Sequence, residues 1–240
     1  MPTNHLENST NVYALDPEPW VIGRAVEVVV LYADTRGFSN WVLTVTPDQV
    51  ADFSYALYEY TVHLGVHTQR PFRKFLGDGF LLLWEVPDCG SAGNALSLAL
   101  GTAFEIHKWY WHASAERAYP SPAGLGIAIA GGTSICVQPS LVGERDFVGY
   151  PLNCGARLQG LAGPYGVVLD AHSTALATVH HRRLLREHSP TLHLALHPPT
   201  PAATLRVRAM KGLREEDRGG FSYVTWPAIG AKLWERDGRL

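Results

Sequence analysis

Val26-Glu27-Val28-Val29-Val30-Leu31-Tyr32-Ala33-Asp34-Thr35-Arg36-Gly37-Phe38 opens as a nearly continuous β-branched apolar run and stops at a charged turn. Such a run, without helical period, reads as a strand buried on both faces. Downstream, Thr46 is placed to cap a helix whose first position is Pro47, with apolar residues at helical spacing to about Val66. FRKF (72–75), the turn Gly77-Asp78-Gly79 and FLLLWE (80–85) then form a hairpin. A second long helix is expected over about Ser91–Ala113, then a strand in GLGIAIAGG (124–132), followed by SICV (134–137) and, after Gly143, a short strand into DFVG (146–149). Pro151 opens a third helix carrying NCGARLQGL, PYGVVLD (164–170) is a strand, and a short helix covers Ala171–Thr178. ATLRVRAM (203–210) and GGFSYVTW (219–226) read as a closing β pair, while residues 180–203 show no clear period. Helices alternating with strands around paired hairpins give an α+β sandwich of the ferredoxin-like kind.

The 240 residues suit one large domain, read as an arm over residues 1–25, a folded domain over 26–226 and a tail over 227–240. A formal net charge of −2 gives no basic surface for nucleic acid or anionic lipid. Cys89, Cys136 and Cys154 are odd in number and lack C-x-x-C spacing, so they read as reduced core residues. MPTNHLENST lacks the apolar centre of a signal peptide, and no apolar stretch reaches a membrane span, which points to the cytoplasm. His180-His181 reads as solvated surface, and Trp109, Trp111 and Trp226 as core or subunit contacts.

The strongest chemical signal is a pair of carboxylates, Asp34 and Asp78, each at a tight turn beside an apolar strand. Carboxylates at neighbouring strand ends can gather divalent cations, because magnesium takes hard oxygen ligands and completes its shell with phosphate and water. Two such ions can activate an attacking oxygen and neutralise a leaving one. Taken alone, Asp78 is equally a hairpin-turn residue. Thr35-Arg36-Gly37-Phe38 is a turn whose backbone N–H groups, freed by the glycine, can cradle phosphate. Asn153 and Arg157 stand four apart on one helical face, among Cys154, Gly155 and Ala156. Placed on a buried side they need polar partners, which a phosphate would supply, although an isolated Arg more often snorkels to solvent.

In combination, YADTRGF (32–38), KFLGDGF (74–80) and DFVGYPLNCGARL (146–158) resemble, in order and spacing, the motifs of the class III nucleotide cyclases over roughly residues 26–226. The resemblance implies a central, mostly antiparallel sheet with flanking helices and a head-to-tail homodimer with two composite sites. It implies two Mg2+ or Mn2+ ions on Asp34, the Thr35 carbonyl and Asp78, with triphosphate over Thr35, Arg36, Gly37 and Phe38. Lys74 and Asp146 take base-reading positions, Asn153 the ribose-orienting one and Arg157 that of the transition-state arginine, all four facing the partner's metals. The implied reaction is attack of the ribose 3′-hydroxyl on the α-phosphate, expelling pyrophosphate. One departure stands out: the family's phosphate-binding lysine falls at Leu213, leaving Lys211 or Arg214 as substitutes in Met210-Lys211-Gly212-Leu213-Arg214.

Lys74 as donor and Asp146 as acceptor suit adenine, cytosine or uracil, so ATP, CTP and UTP all remain open. Phe147 and Tyr150, with Phe75, add bulk beside the base-reading segment, which favours a pyrimidine. Without an accompanying sensor domain the chain also resembles the stand-alone pyrimidine cyclases of bacterial anti-phage systems (the Pycsar type), which make cyclic UMP or cyclic CMP for a separate effector. A diguanylate cyclase is disfavoured, because Leu76-Gly77-Asp78-Gly79 replaces its G-G-[DE]-E-F turn. A catalytically silent ferredoxin-like nucleotide-binding module is the alternative outside enzymes.

Overall fold

The computed structural model describes residues 23–67, 69–137, 145–178 and 195–225. Residues 1–22 of the expected arm, the expected tail, Trp226 and His180-His181 lie outside the described residues. The helices are α1 (Phe38–Trp41), α2 (Pro47–His67), α3 (Val86–Cys89), α4 (Ala92–Glu116), α5 (Tyr150–Leu158), α6 (residues 171–178) and α7 (Pro201–Arg208). The strands are β1 (Arg24–Arg36), β2 (Phe72–Phe75), β3 (Gly79–Glu85), β4 (Gly124–Val137), β5 (Asp146–Gly149), β6 (Val167–Leu169), β7 (Ala195–His197) and β8 (Ser222–Thr225).

β1 is the axis of the sheet, antiparallel to β3 on one side and to β4 on the other. With β2 outside β3, the order β2-β3-β1-β4 and crossovers through α2 and α4 make the β-α-β-β-α-β unit. The path continues through β6, β8 and β7, and β5 folds back onto β4. Only the β4–β6 pair is parallel among the described pairings.

Alternation along β1 divides the core into two layers, as its two-sided apolar character requires. Val29, Leu31 and Ala33 join Phe80, Leu82 and Trp84 beneath α2 and α4, which contribute Phe53, Leu57, Leu96, Leu100, Ile106 and Tyr110. Val26, Val28 and Val30 join Leu81 and Leu83 on the opposite face, covered by Leu152, Cys154 and Leu158 of α5. Asp34 continues this second row, so the sheet presents its carboxylate on the α5 side.

The helices start where the sequence marks them. Thr46 N–H donates to Gln49 Oε1 at 2.9 Å and Gln49 N–H to Thr46 Oγ1 at 3.4 Å, a reciprocal capping box. Ser91 Oγ accepts from Asn94 N–H at 3.1 Å and caps α4. The expected closing β pair is corrected. Residues 203–210 do not form a strand, because α7 occupies most of that stretch. Thr200 caps it by accepting from Ala203 N–H at 3.2 Å, and Pro201 stands in its first turn. β8 pairs instead with β7, inside the segment that showed no period.

One glycine keeps the two central strands in close contact. A Cβ on Gly79 would lie 2.3 Å from the Ala33 carbonyl oxygen, which is backbone and cannot swing away. Gly79→Ala should therefore cost about 1–3 kcal/mol in urea unfolding. Gly101→Ala, in α4 where an added Cβ meets nothing, should be neutral or stabilising by up to about 1 kcal/mol. A Gly79→Ala protein as stable as the parent would contradict this packing.

Candidate active site

The β1–β3 register places Asp34 opposite Gly79, the residue after Asp78. The turn between β2 and β3 is closed by Leu76 N–H donating to Gly79 O at 2.9 Å and needs Gly77 at φ 80°. Thr35 pins it from β1: its N–H and its hydroxyl both donate to the Asp78 carbonyl, at 3.2 and 2.6 Å. The Thr35 side chain is buried on the face away from Asp34, so only its main chain is available to a ligand. Burial raises the Asp34 pKa; Arg36 opposes that rise and Asp78 adds to it. The two carboxylates thus feel each other in a half-buried corner that calls for positive charge. In this structure Arg36 answers, donating from Nη1 to Asp34 Oδ2 at 2.8 Å. Two carboxylates and a main-chain carbonyl are the hard donor set that Mg2+ or Mn2+ prefers. Gly37, at φ 75°, then starts one turn of helix, whose first backbone N–H groups have no intrahelical acceptor. The Phe38 ring turns inward, 5.5 Å from Trp41 and 6.2 Å from Phe53.

Lys74 and Asp146, 72 positions apart in sequence, meet on this same side of the sheet. Lys74 Nζ donates to Asp146 Oδ2 at 2.5 Å, with both side chains nearly half exposed. Burial of Asp146 is outweighed by the Lys74 hydrogen bond, the Phe147 N–H and the Lys74 charge, which together lower its pKa. Lys74 stands opposite Leu81, and Leu81 opposite Tyr32, one same-face position before Asp34. The Phe147 ring, 3% exposed, belongs to the core and packs edge-on against Phe72 at 5.0 Å. Phe75 is 41% exposed, with Tyr58 4.0 Å away between ring centroids.

α5 buries Pro151, Leu152, Cys154, Gly155 and Leu158. Asn153 and Arg157 do share one face, but that face is exposed, which corrects the buried-side expectation. Cys154 and Gly155, but not the exposed Ala156, mark the side against the sheet: a Cβ on Gly155 would sit 2.8 Å from Tyr32 Cδ2. Arg157 lies over the turn that includes Lys211 and Arg214, its guanidinium 3.1 Å from a Cβ placed on Gly212. Leu213 is buried at 5% exposure, so it cannot stand in for a phosphate-binding cation, whereas Lys211 and Arg214 are exposed. Arg214 holds its guanidinium 4.0 Å above the Tyr150 ring.

No protein-family model matches the chain, and no curated protein matches it either. Solved structures do. An adenylyl cyclase from P. aeruginosa superposes with a TM-score of 0.65 at 13% identity, over 84% of this chain and 95% of that one. The guanylate cyclase domain of a protein from Catenaria anguillulae, solved with GTP, gives 0.58 at 12% identity, over 85% and 98%. A bacterial light-regulated adenylyl cyclase gives 0.54 at 14% identity, over 88% and 95%. The fold is that of a class III nucleotide cyclase catalytic domain. Among the described residues, no helix is long and apolar enough to cross a membrane.

Within this cyclase fold lies a buried cluster that sequence reasoning missed. The Cys154 thiol and the Asp170 and Asp217 carboxylates place ligand atoms within 4.8 Å of one another. Each carboxylate already has protein donors. Asp170 accepts from Gly131 N–H at 3.0 Å and, as the cap of α6, from Ser173 N–H at 2.7 Å. Burial pushes Asp170 up to about 6 against those bonds. Asp217 accepts from Ala171 N–H at 2.9 Å and from the Tyr150 hydroxyl at 2.5 Å. Burial, followed by the neighbouring carboxylates, pushes the Cys154 thiol up, leaving it neutral. The available signal was Asp170-Ala-His-Ser173, an aspartate at a strand end with capping spacing. Tyr150 works in this brace: its hydroxyl also accepts from Arg214 N–H at 2.7 Å.

Tyr150→Phe should lower stability by about 1–3 kcal/mol, since it leaves the buried Asp217 carboxylate and the Arg214 N–H without this partner. The order of preference among nucleoside triphosphates should not change. A switched preference at unchanged stability would instead place the Tyr150 hydroxyl on the base.

Proposed function

We propose that this chain is a nucleotide cyclase, its catalytic domain spanning residues 26–226, that converts a nucleoside triphosphate into a 3′,5′-cyclic monophosphate and pyrophosphate. The observation that carries the reading is the placement of Asp34 and Asp78 at adjoining strand ends of a cyclase fold, on the side that also carries Lys74 with Asp146. Asp34, Asp78 and the Thr35 carbonyl would hold two Mg2+ or Mn2+ ions. Bound there, the ions would lower the pKa of the ribose 3′-hydroxyl and offset charge on the β- and γ-phosphates.

The side chains divide the remaining work. The Gly37–Phe38 turn offers backbone N–H groups to phosphate. Lys74 donates to, and Asp146 accepts from, the hydrogen-bonding edge of the base. Asn153 orients the ribose, and Arg157 meets the negative charge that develops at the α-phosphate, where a fixed guanidinium is most effective. Lys211 and Arg214 take the part of the missing lysine. Asn153 and Arg157 face away from the sheet their helix covers, which leaves them open to the acidic pair of a second copy of the chain. That exposure fits a head-to-tail homodimer with composite sites.

For the base, the finer reading is a pyrimidine, giving cyclic UMP or cyclic CMP for a separate effector in bacterial anti-phage defence. None of the three bulky side chains supports it: Phe75 stands against Tyr58 on the α2 side, across the sheet from Lys74, Phe147 lies in the core and the Tyr150 hydroxyl is bound to Asp217, so the reading rests on the resemblance to stand-alone pyrimidine cyclases. The Lys74–Asp146 pair favours adenine equally, which keeps cyclic AMP as the second reading.

Incubation with each of the four ribonucleoside triphosphates and Mn2+, with products identified by mass, tests both levels. The expected products are cyclic UMP or cyclic CMP, and Asp34→Ala and Asp78→Ala proteins should make none while remaining folded. Cyclic AMP alone would overturn the pyrimidine reading. Full turnover in Asp78→Ala would overturn the metal assignment, and no cyclic product from any triphosphate would overturn the cyclase itself.

A further inference from the structure

Arg36 stands in a berth built for its guanidinium. Nη1 donates to Asp34 Oδ2 at 2.8 Å, and Nη2 donates to Gln159 Oε1 at 2.7 Å and to the Gln159 carbonyl. Gln159 begins the 3-10 turn that continues α5, two residues after Arg157. The floor of the berth is Gly126 of β4, paired with Asp34 itself. A Cβ at position 126 would lie 2.0 Å from Nη2, so a side chain there and Arg36 in this pose exclude each other. The pose also leaves the buried Arg36 Nε without a hydrogen-bond partner among the described residues.

These contacts conflict with metal binding at the same carboxylate. A cation held by Asp34 would have to share the carboxylate with Nη1 of Arg36, which engages Oδ2 at 2.8 Å. A guanidinium left beside a divalent cation would be repelled at short range in a half-buried corner, where screening is weak. We infer that Arg36 is an internal occupant of the cation position at Asp34, displaced when a divalent ion binds, so that metal loading releases the tether between β1 and the end of α5 that carries Arg157. Arg36 is then a positioning residue that couples the acidic pair to the arginine helix. The inference rests on the proposed metal role of Asp34.

The coupling is read without nucleotide, on the full chain, by Mn2+ titration followed through the electron paramagnetic resonance signal of the free ion. Arg36→Gln removes the competitor and should tighten Mn2+ binding by about tenfold, as expected when the binding-competent state no longer has to be released from a bound one. Gly126→Ala, which keeps the charge but fills the berth, should shift affinity in the same direction and serves if Arg36→Gln does not fold. In the parent, saturating Mg2+ should speed amide hydrogen exchange over residues 155–161, and in Arg36→Gln that exchange should already be fast. Equal Mn2+ affinity in parent and variants, with Asp34→Asn still abolishing binding, would overturn the inference and leave the metal reading standing. If Asp34→Asn binds Mn2+ as well as the parent, the metal reading itself falls. Exchange over residues 155–161 that is unchanged by Mg2+ would overturn the release of α5.

Discussion

Everything at the candidate site depends on the register between β1 and β3. Asp34 opposite Gly79 sets the Asp78 turn beside the Asp34 carboxylate, and Thr35 fastens that turn through its main chain and its hydroxyl. A slip of one residue would turn Asp34 to the α2 and α4 side and Thr35 to the α5 side. The register is held by burial on both faces: Leu81 and Leu83 pack one way, Phe80, Leu82 and Trp84 the other. Packing away from the carboxylates therefore holds the two strand ends that carry them side by side.

α5 is the second constrained element. Its small residues let it lie close on β1 and β4, and it is tied at both ends. Tyr150 joins its start to Asp217 and the Arg214 turn, and Gln159 joins its end to Arg36. Asn153 and Arg157 are left free to face outward between the two ties. The helix is thus tied down where it meets its own sheet and exposed on the face that carries Asn153 and Arg157.

Much of this was legible in the sequence for identifiable reasons. The β-branched run of β1, the Thr46-Pro47 and Ser91 caps and the Gly77-Asp78-Gly79 turn are local signals, and they place the β-α-β-β-α-β unit and both acidic residues. The stretch 203–210 misled because Leu205 and Val207 alternate with Arg206 and Arg208 as a strand would, while the deciding signal, Thr200-Pro201, lay just upstream. It is the same start that marked α2. What the sequence could not convey is long-range. That Asn153 and Arg157 face outward depends on which side of α5 meets Tyr32. That Tyr150 serves Asp217, 67 positions away, and that Phe147 sinks against Phe72, depend on how β5 folds back across the sheet.

The proposed site works only if the acidic pair of one chain stands opposite Arg157 of a second copy. Mixing Asp34→Ala protein with Arg157→Ala protein, each inactive alone, and measuring cyclic nucleotide formation tests it most directly. Activity should return on mixing, because each heterodimer assembles one site with both its acidic pair and its arginine intact. Continued inactivity of the mixture, under conditions where subunits of the two variants demonstrably exchange, would contradict it.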